Sequence, residues 1–129
     1  MTALDSALAA AHLDKSKGMD FYSLFLNTEL YLPLNELPSK EEPQKINPIL
    51  IDKDGKLFLM LFDEESRLVS WAKRQIPYAQ IPGFAIVQMM DPEILYVLNV
   101  GTEHYHQFVK DEIEWLRKTV EQNLKKQNE

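Results

Sequence analysis

The sequence contains no cysteine and only four glycines in 129 residues. Without thiols, disulfide bonds and thiolate chemistry are both excluded, and the absence suits a reducing cytoplasm, where we expect the protein to lie. Four scattered glycines leave no Gly-rich loop to cradle phosphates, so nucleotide hydrolysis of the P-loop type is excluded. No serine sits in a G-x-S-x-G elbow that would expose it as a nucleophile. These absences predict a protein that is not an enzyme and holds no cofactor.

Positive charge is also scarce. The sequence has fourteen Lys and Arg and twenty Asp and Glu, which gives a net charge of −6. This balance argues against nucleic acid as a partner, because sequence-independent binding neutralises phosphates with Lys and Arg. An anionic membrane surface is disfavoured for the same reason. No apolar run is long enough to cross a bilayer, and the N-terminus lacks a basic leader, so we expect a soluble, unprocessed protein with no membrane contact.

One segment, Asp52 to Ala72, predicts more of the fold than any other. Asp54-Gly55 provides turn chemistry, and the returning strand, Lys56 to Phe62, is apolar on both faces. Such a strand must be covered on both faces, either by the chain's own helices or by a partner, a homodimer being one alternative. Asp63 is expected to cap the following helix, with Glu64 and Glu65 in its first turn.

The remaining elements follow from periodicity and capping. We expect a peripheral helix and linker over 1–18, a second helix capped by Asp20, and a strand from Leu30 to Leu34 in which Pro33 is tolerable only at an edge or an end. An exposed Pro-rich loop over 35–47 follows. Further along the chain we expect strand character over 76–82, a buried strand over 94–98 and a short strand over 105–108. Periodicity leaves the segment over 84–90 open between a helix and a buried strand, and a helix is favoured.

A long final helix completes the pattern, with an apolar stripe at Ile113, Leu116, Val120 and Leu124 and a frayed tail over 125–129. The whole predicts one compact α/β (α+β) domain over 1–129. Its core is a mixed β-sheet of about 4–6 strands with helices packed on it and a long C-terminal helix.

A succession of segments carries a family resemblance: FYSLFLNTELYLPL, ILIDKDGKLFLMLF, DEESRLVSWA, IPGFAIVQMM, LYVLNVGTEHYHQF and DEIEWL. In this order they resemble the N-terminal domain of the SseB family, the enhanced-serine-sensitivity proteins of bacteria. The resemblance implies a compact α/β domain with no known enzymatic activity and no agreed catalytic residues. Family members often carry a second, C-terminal domain, which is not found in this sequence. Their final helix tends to begin with a Ser- or Thr-Pro cap, whereas Val109 and Lys110 stand here, so we expect capping to shift to Asp111.

Glu103, His104 and His106 are the nearest approach to a metal cluster. In a strand the two histidines would project to the same side, which suits a divalent ion. Zinc sites need three or four ligands, and no further ligand pair is evident. Exposed or hydrogen-bonded histidines are therefore the favoured interpretation, and a metal site is the weaker one.

Aromatic residues at helix ends and connections are the remaining candidates for a contact surface. Tryptophan and tyrosine anchor interfaces because they bury a large area while keeping a polar atom satisfied; ordinary core packing is the alternative. The turn at Asn99 and Gly101 could bind a small ligand through its backbone or be a plain turn. The candidate surface comprises Trp71, Tyr78, Phe84, Asn99, Gly101, Tyr105 and Trp115. The sequence thus favours a protein-interaction or regulatory domain with an unidentified protein partner. The alternative is a regulatory module that binds a small molecule such as an amino acid.

Overall fold

The structure is a computed structural model that describes residues 1–43 and 45–127. Its helices are α1 (Ala3–Leu13), α2 (Gly18–Asn27), α3 (Glu65–Ala72), α4 (Gly83–Met89) and α5 (Lys110–Gln127), with a short 3-10 turn at Lys15–Lys17. Its strands are β1 (Glu29–Glu36), β2 (Asn47–Pro48), β3 (Leu50–Lys53), β4 (Lys56–Leu61), β5 (Tyr78–Pro82), β6 (Leu95–Leu98) and β7 (His106–Gln107).

The strands form two sheets. One has the order β2-β1-β5 and the other β3-β4-β6-β7. The second sheet is mixed, because β4 runs antiparallel to β3 and parallel to β6. Tyr31 and Phe62 join the sheets by exchanging backbone hydrogen bonds of 2.7 and 3.1 Å. The predicted α+β domain with a mixed sheet and a long C-terminal helix is confirmed.

The central strand β4 is covered on both faces from Phe58 onward, as its sequence predicts, whereas Leu57 at its start is 40% exposed. Leu59 and Leu61 belong to the larger core cluster, which also contains residues of α1, α2, α4 and α5. On the opposite face, Phe58, Met60 and Phe62 lie in a second cluster with Leu68 of α3. Elements of the same chain therefore supply cover on both sides of this strand.

The backbone at Asp54-Gly55 and at Gly83 explains two local features of the fold. Asp54 and Gly55 have φ angles of 55° and 81°, the left-handed pair that a two-residue hairpin turn requires. Gly83, at the start of α4, lies so close to α2 that a Cβ atom there would come within 2.2 Å of the Phe25 carbonyl oxygen. Glycine thus allows the start of α4 to pack directly against the α2 backbone. The presence of α4 confirms the helix favoured over 84–90.

The caps predicted for α2 and α3 are wrong. The 3-10 turn runs directly into α2, which begins at Gly18, so Asp20 lies inside the first turn, where it still complements the helix dipole. Glu64, not Asp63, occupies the N-cap position of α3, and its side chain makes no capping hydrogen bond. The carboxylate of Asp63 instead contacts Arg67 of α3 and the hydroxyl of Thr2 near the N-terminus.

The strand around Pro33 is longer and more central than predicted. β1 lies between β2 and β5, so Pro33 is not on an edge strand. It is tolerated because its pairing with Tyr78 is the last of the β1–β5 register, and its carbonyl accepts a 3.0 Å hydrogen bond from Ile49 N–H. The exposed loop predicted over 35–47 is correspondingly shorter, since Glu36 and Asn47 pair across its base.

The final segments also differ from expectation. The strand predicted over 105–108 is only His106–Gln107. α5 begins at Lys110 and Asp111 lies in its first turn, so the predicted capping by Asp111 is wrong. The Val109 N–H donates to Glu112 Oε1 at 2.9 Å. Leu124 is 37% exposed and does not continue the buried stripe. In the predicted frayed tail, residues 125–127 are helical, and 128–129 lie outside the described residues.

Candidate functional site

Two concave surfaces collect most of the sequence-predicted candidates. We name the first the polar cavity; its volume is about 580 Å³, and its lining residues are Met1, Asp5, Ser66, Arg67, Ser70, Trp71, Val100, Gly101, Thr102, Glu103 and His104. We name the second the apolar groove; its volume is about 320 Å³, and its lining residues are Met19, Tyr22, Ser23, Leu26, Asn27, Phe84, Trp115, Thr119, Val120, Asn123 and Leu124.

Arg67 of α3 lines the polar cavity and contacts three carboxylates. Its Nη1 lies 2.8 Å from Asp5 Oδ1 and 2.9 Å from Asp63 Oδ1, and its Nη2 donates to Asp5 Oδ2. A further contact joins Nε to Glu64 Oε1 at 3.3 Å. The side chain of Asp5 is fully buried, so this is an ion pair between α1 and α3 that is shielded from solvent. The Arg67 guanidinium holds the pKa of Asp5 well below its usual range, and Asp5 in turn raises the pKa of Arg67.

The N-terminal end of α1 is fixed at the rim of this cavity. Thr2 and Asp5 form a capping box: Asp5 N–H donates to Thr2 Oγ1 at 3.1 Å, and Thr2 N–H donates to Asp5 Oδ2 at 3.0 Å. The Thr2 hydroxyl also donates to Asp63 Oδ2. Because its carboxylate bonds to Thr2 and Arg67, Asp63 connects the start of α1 to the start of α3 and does not cap α3.

The turn from Asn99 to His104 forms the opposite wall. Asn99 and Gly101 adopt φ angles of 55° and 87°, and the Thr102 hydroxyl donates to the Asn99 carbonyl at 2.8 Å. Asn99 is buried beneath the cavity, where its Oδ1 accepts from Asp63 N–H at 3.0 Å. Among the described residues its Nδ2 has no hydrogen-bond partner. Of the two predicted turn residues, Gly101 lines the cavity and Asn99 is buried and does not.

The structure does not bring the three metal candidates together. Residues 101–104 form a turn rather than a strand, so the expected projection of His104 and His106 to the same side of one strand is wrong. His104 lines the polar cavity, 3.9 Å from the Glu103 carboxylate. The His106 Nε2 lies 2.9 Å from Glu112 Oε2, against the edges of Phe21 and Phe108. Within residues 1–43 and 45–127 no group of three or more His, Cys, Asp or Glu is arranged to hold a metal ion.

The apolar groove runs between α2 and α5, with Phe84 of α4 at its side. Four large apolar side chains around it are exposed: Met19 by 60%, Phe84 by 42%, Trp115 by 38% and Leu124 by 37%. Phe84 and Trp115 were predicted from the sequence, and Met19 and Leu124 were not. Met19 could have been identified as a large apolar residue on the polar side of its helix. Leu124 was assigned to the core because it fits the helical repeat.

A hydrogen-bond network holds one wall of the groove. The Tyr22 hydroxyl donates to Glu112 Oε2 at 2.6 Å, and the Tyr22 ring packs against Trp115 with centroids 5.2 Å apart. Burial and the Glu112 carboxylate raise the pKa of Tyr22. Burial alone would raise the pKa of Glu112, but its hydrogen bonds with His106, Tyr22 and the Val109 N–H lower it. Tyr22 and Trp115 are thereby held in place at the groove.

The other predicted aromatic candidates lie elsewhere. Trp71 lines the polar cavity and packs on Phe62 with ring centroids 5.6 Å apart. Tyr78 is partly buried in the second core, edge-on to Tyr31 at 5.2 Å. Tyr105 is 58% exposed and lines neither concave surface. Of the aromatic candidates, only Phe84 and Trp115 share a surface.

Fold and sites together define a single-chain α+β domain with an apolar groove on one side of its helices and a polar cavity beside α3. The family model of the SseB protein N-terminal domain matches residues 4–115, and the chain belongs to this family. A search of curated proteins and a search of solved structures found no match. None of the helices in the described part of the chain has the length and apolar character needed to span a membrane.

Proposed function

We propose that this domain is a non-enzymatic protein-interaction module of the SseB N-terminal type and that the apolar groove binds its partner. The observation that carries the proposal is the gathering of exposed Met19, Phe84, Trp115 and Leu124 around one groove. Contiguous exposed apolar surface is characteristic of interaction sites, whereas single exposed apolar residues are ordinary. The module acts as an adaptor or regulator in the cytoplasm.

The groove combines an apolar surface with a neutral polar border. Burying apolar area contributes about 25 cal/mol per Å², and aromatic anchors such as Trp115 and Phe84 are the residue types that dominate interface energies. Side chains that can donate or accept hydrogen bonds at the partner's surface alternate with them. These are Ser23, Asn27, Thr119 and Asn123. Because Tyr22 and Trp115 are already ordered by their mutual packing and by Glu112, binding costs little side-chain entropy there.

Affinity capture with matched variants tests this proposal. Phe84→Ser and Leu124→Gln change partly exposed groove residues, and Tyr105→Ser changes an exposed aromatic residue outside the groove. We expect one or more proteins captured by the unaltered domain to be lost with both groove variants and retained with the Tyr105 control. Circular dichroism should show that all variants are folded. Capture that is equally reduced by Tyr105→Ser, or unaffected by both groove variants, would remove the groove from the proposal.

The partner in the groove could also be a second copy of the same chain. Light scattering of the unaltered domain over a range of concentrations distinguishes the two cases. A dimer that Phe84→Ser dissociates would identify a second copy as the occupant of the groove, and a monomer would leave a different protein as the partner.

A second candidate function is a regulatory module that binds a small molecule, such as an amino acid. The polar cavity favours it, because cavities with a few convergent polar groups are the usual form of ligand sites. A ligand that binds only the folded state raises the melting temperature by mass action. A thermal-shift screen with amino acids and divalent metals at millimolar concentration should therefore find a stabilising compound, and a screen without any shift would end this alternative.

A further inference from the structure

We propose that the occupant of the apolar groove is a second copy of this chain, bound so that the two α5 helices run antiparallel across a two-fold axis. The inference rests on the proposed function, because it names the partner of the same groove. Its basis is the distribution of charged and exposed apolar side chains along α5 and around the groove.

One face of α5 beside the groove is exposed from the first turn of the helix to the last. The residues on it are Asp111, Trp115, Lys118, Gln122 and Lys126, which follow one another at intervals of three or four residues and therefore share this face. All of them are exposed, and Trp115 also lines the groove. At a rise of 1.5 Å per residue, the 18-residue helix presents a surface about 27 Å long.

The charges on α5 change sign along its length. Residues 110–114 contain three acidic residues and one basic residue, whereas residues 117–126 contain four basic residues and one acidic residue. The helix dipole favours such charges only in the first and last turns, where Asp111 and Lys126 lie. Glu114 and Lys118 lie outside these turns, so the change of sign extends further than the dipole accounts for.

An antiparallel pair of α5 helices brings unlike charges together. When the midpoints of the two helices coincide, Asp111 of each copy lies opposite Lys126 of the other, and each acidic first turn lies against a basic last turn. In a parallel pair the like charges would lie opposite one another, which is unfavourable. The antiparallel arrangement uses the same patch on both copies, which is the form of a closed dimer with two-fold symmetry.

The same patch provides both parts of a self-complementary apolar contact. The groove, with a volume of about 320 Å³, is the concave part. Met19, Phe84 and Trp115 are the exposed apolar side chains around it. In an interface of this symmetry each contact between one copy's side chains and the other copy's groove is made twice. A second copy therefore brings the apolar groups and the complementary charges that the groove and α5 require.

Sedimentation velocity over a range of protein concentrations tests the inference. We expect the unaltered chain to form a dimer. Asp111→Lys with Glu114→Lys makes both ends of α5 basic, and Lys125→Glu with Lys126→Glu makes both ends acidic. Each double variant should raise the dimer dissociation constant at least about tenfold, because like charges then lie opposite one another. An equal mixture of the two variants should form a heterodimer and restore most of the affinity.

The matched control reverses two charges away from the groove. Lys53→Glu with Lys56→Glu changes exposed side chains of the β3–β4 hairpin and should leave the dissociation constant unchanged. A monomer at every concentration, an equal loss of affinity in the control, or a mixture that stays monomeric would overturn the inference.

Disulfide cross-linking measures the arrangement of the helices independently of the charge-reversed variants. Because the sequence contains no cysteine, a single introduced thiol reports which residues of two copies meet. Under mild oxidation Lys118→Cys, near the helix midpoint, should form a disulfide-linked dimer, and Lys126→Cys, near the helix end, should not. Equal linking at both positions would indicate a parallel pair and contradict the antiparallel arrangement.

The second-copy inference and the proposed function fail separately. If the chain is a monomer but Phe84→Ser and Leu124→Gln still abolish capture of another protein, the second copy is the wrong partner and the groove remains the binding site. If the chain is a monomer and capture does not depend on the groove, both fall together.

Discussion

The polar cavity and the apolar groove differ in which side chains are buried and which are exposed. At the cavity, charges are held inside: Asp5 is 1% exposed and is paired with Arg67 from another helix. At the groove, apolar side chains are left outside, with Met19 exposed by 60%. The first arrangement must be retained for the fold to stay intact, because an unpaired buried charge is costly. The second contributes little to folding, and we propose that it is exposed because it contacts a protein partner.

The largest effect should follow from breaking the cavity's ion pair. Asp5→Ala removes the buried partner of Arg67, and we expect a loss of about 3–5 kcal/mol in the free energy of unfolding, since one partner of a buried pair is left behind. Urea denaturation followed by circular dichroism measures it. Glu64→Ala, which removes a half-exposed partner of the same Arg67, is the control and should cost no more than about 1 kcal/mol. Equal losses in the two variants would show that burial of Asp5 is not what matters.

A smaller loss in the free energy of unfolding should follow from disturbing the packing of α4 against α2, beside the groove. Gly83→Ala places a Cβ atom against the backbone of Phe25, and we expect a loss of about 1–3 kcal/mol because neither backbone can move freely. Gly18→Ala is the matched control, because a Cβ atom there meets nothing within 4 Å. That variant should be neutral or slightly stabilising in the same urea titration. A neutral Gly83→Ala would mean that α4 is not held as closely as the structure shows.

Acid should weaken the ion pair between Asp5 and Arg67 at the cavity. Asp5 has its pKa lowered in the folded protein, chiefly by its hydrogen bonds with Arg67, so its stabilising contribution is complete above the unfolded pKa of 3.8. Below that value the contribution falls by about 1.4 kcal/mol per pH unit until the folded pKa is reached. Melting temperatures measured from pH 5 to pH 2.5 should therefore fall more steeply for the unaltered protein than for Asp5→Asn. Parallel profiles would contradict this assignment.

The smallest effect on stability should come from the groove. Met19→Gln changes a mostly exposed side chain, and we expect the free energy of unfolding to stay within about 0.5 kcal/mol of its original value. The same variant should reduce partner capture, which would sharpen the distinction between a surface used for folding and one used for contact. A clear loss of stability would instead place Met19 in the core.

The sequence predicted what depends on short-range patterns. The hairpin at Asp54-Gly55, the two-faced strand β4 and the helix over 84–90 all follow from turn chemistry or periodicity, and the structure confirms them. Long-range pairing was not predictable in this way. Asp63 has the residue type and position expected of a helix cap, yet its carboxylate accepts a hydrogen bond from the hydroxyl of Thr2, which lies 61 residues away in the chain.

The two concave surfaces were predicted only in part for the same reason. Phe84 and Trp115 were identified by residue type, but their meeting at one groove depends on how α2, α4 and α5 pack. Asp5 offered a local signal, because a carboxylate beside Leu4 and near Leu8 on a buried helix face needs a partner. Which residue provides that partner could not be read from the pattern.

Site-specific photo-crosslinking tests most directly the claim that the groove is the contact surface for a protein partner. The photoreactive amino acid p-benzoylphenylalanine is introduced at Asn123 in the groove, at Ser70 in the cavity and at exposed Tyr105 outside both. Irradiation in the host cell should yield a defined protein adduct from Asn123 and none from Ser70 or Tyr105. An adduct of equal yield from Tyr105, or one that forms only from Ser70, would contradict the account.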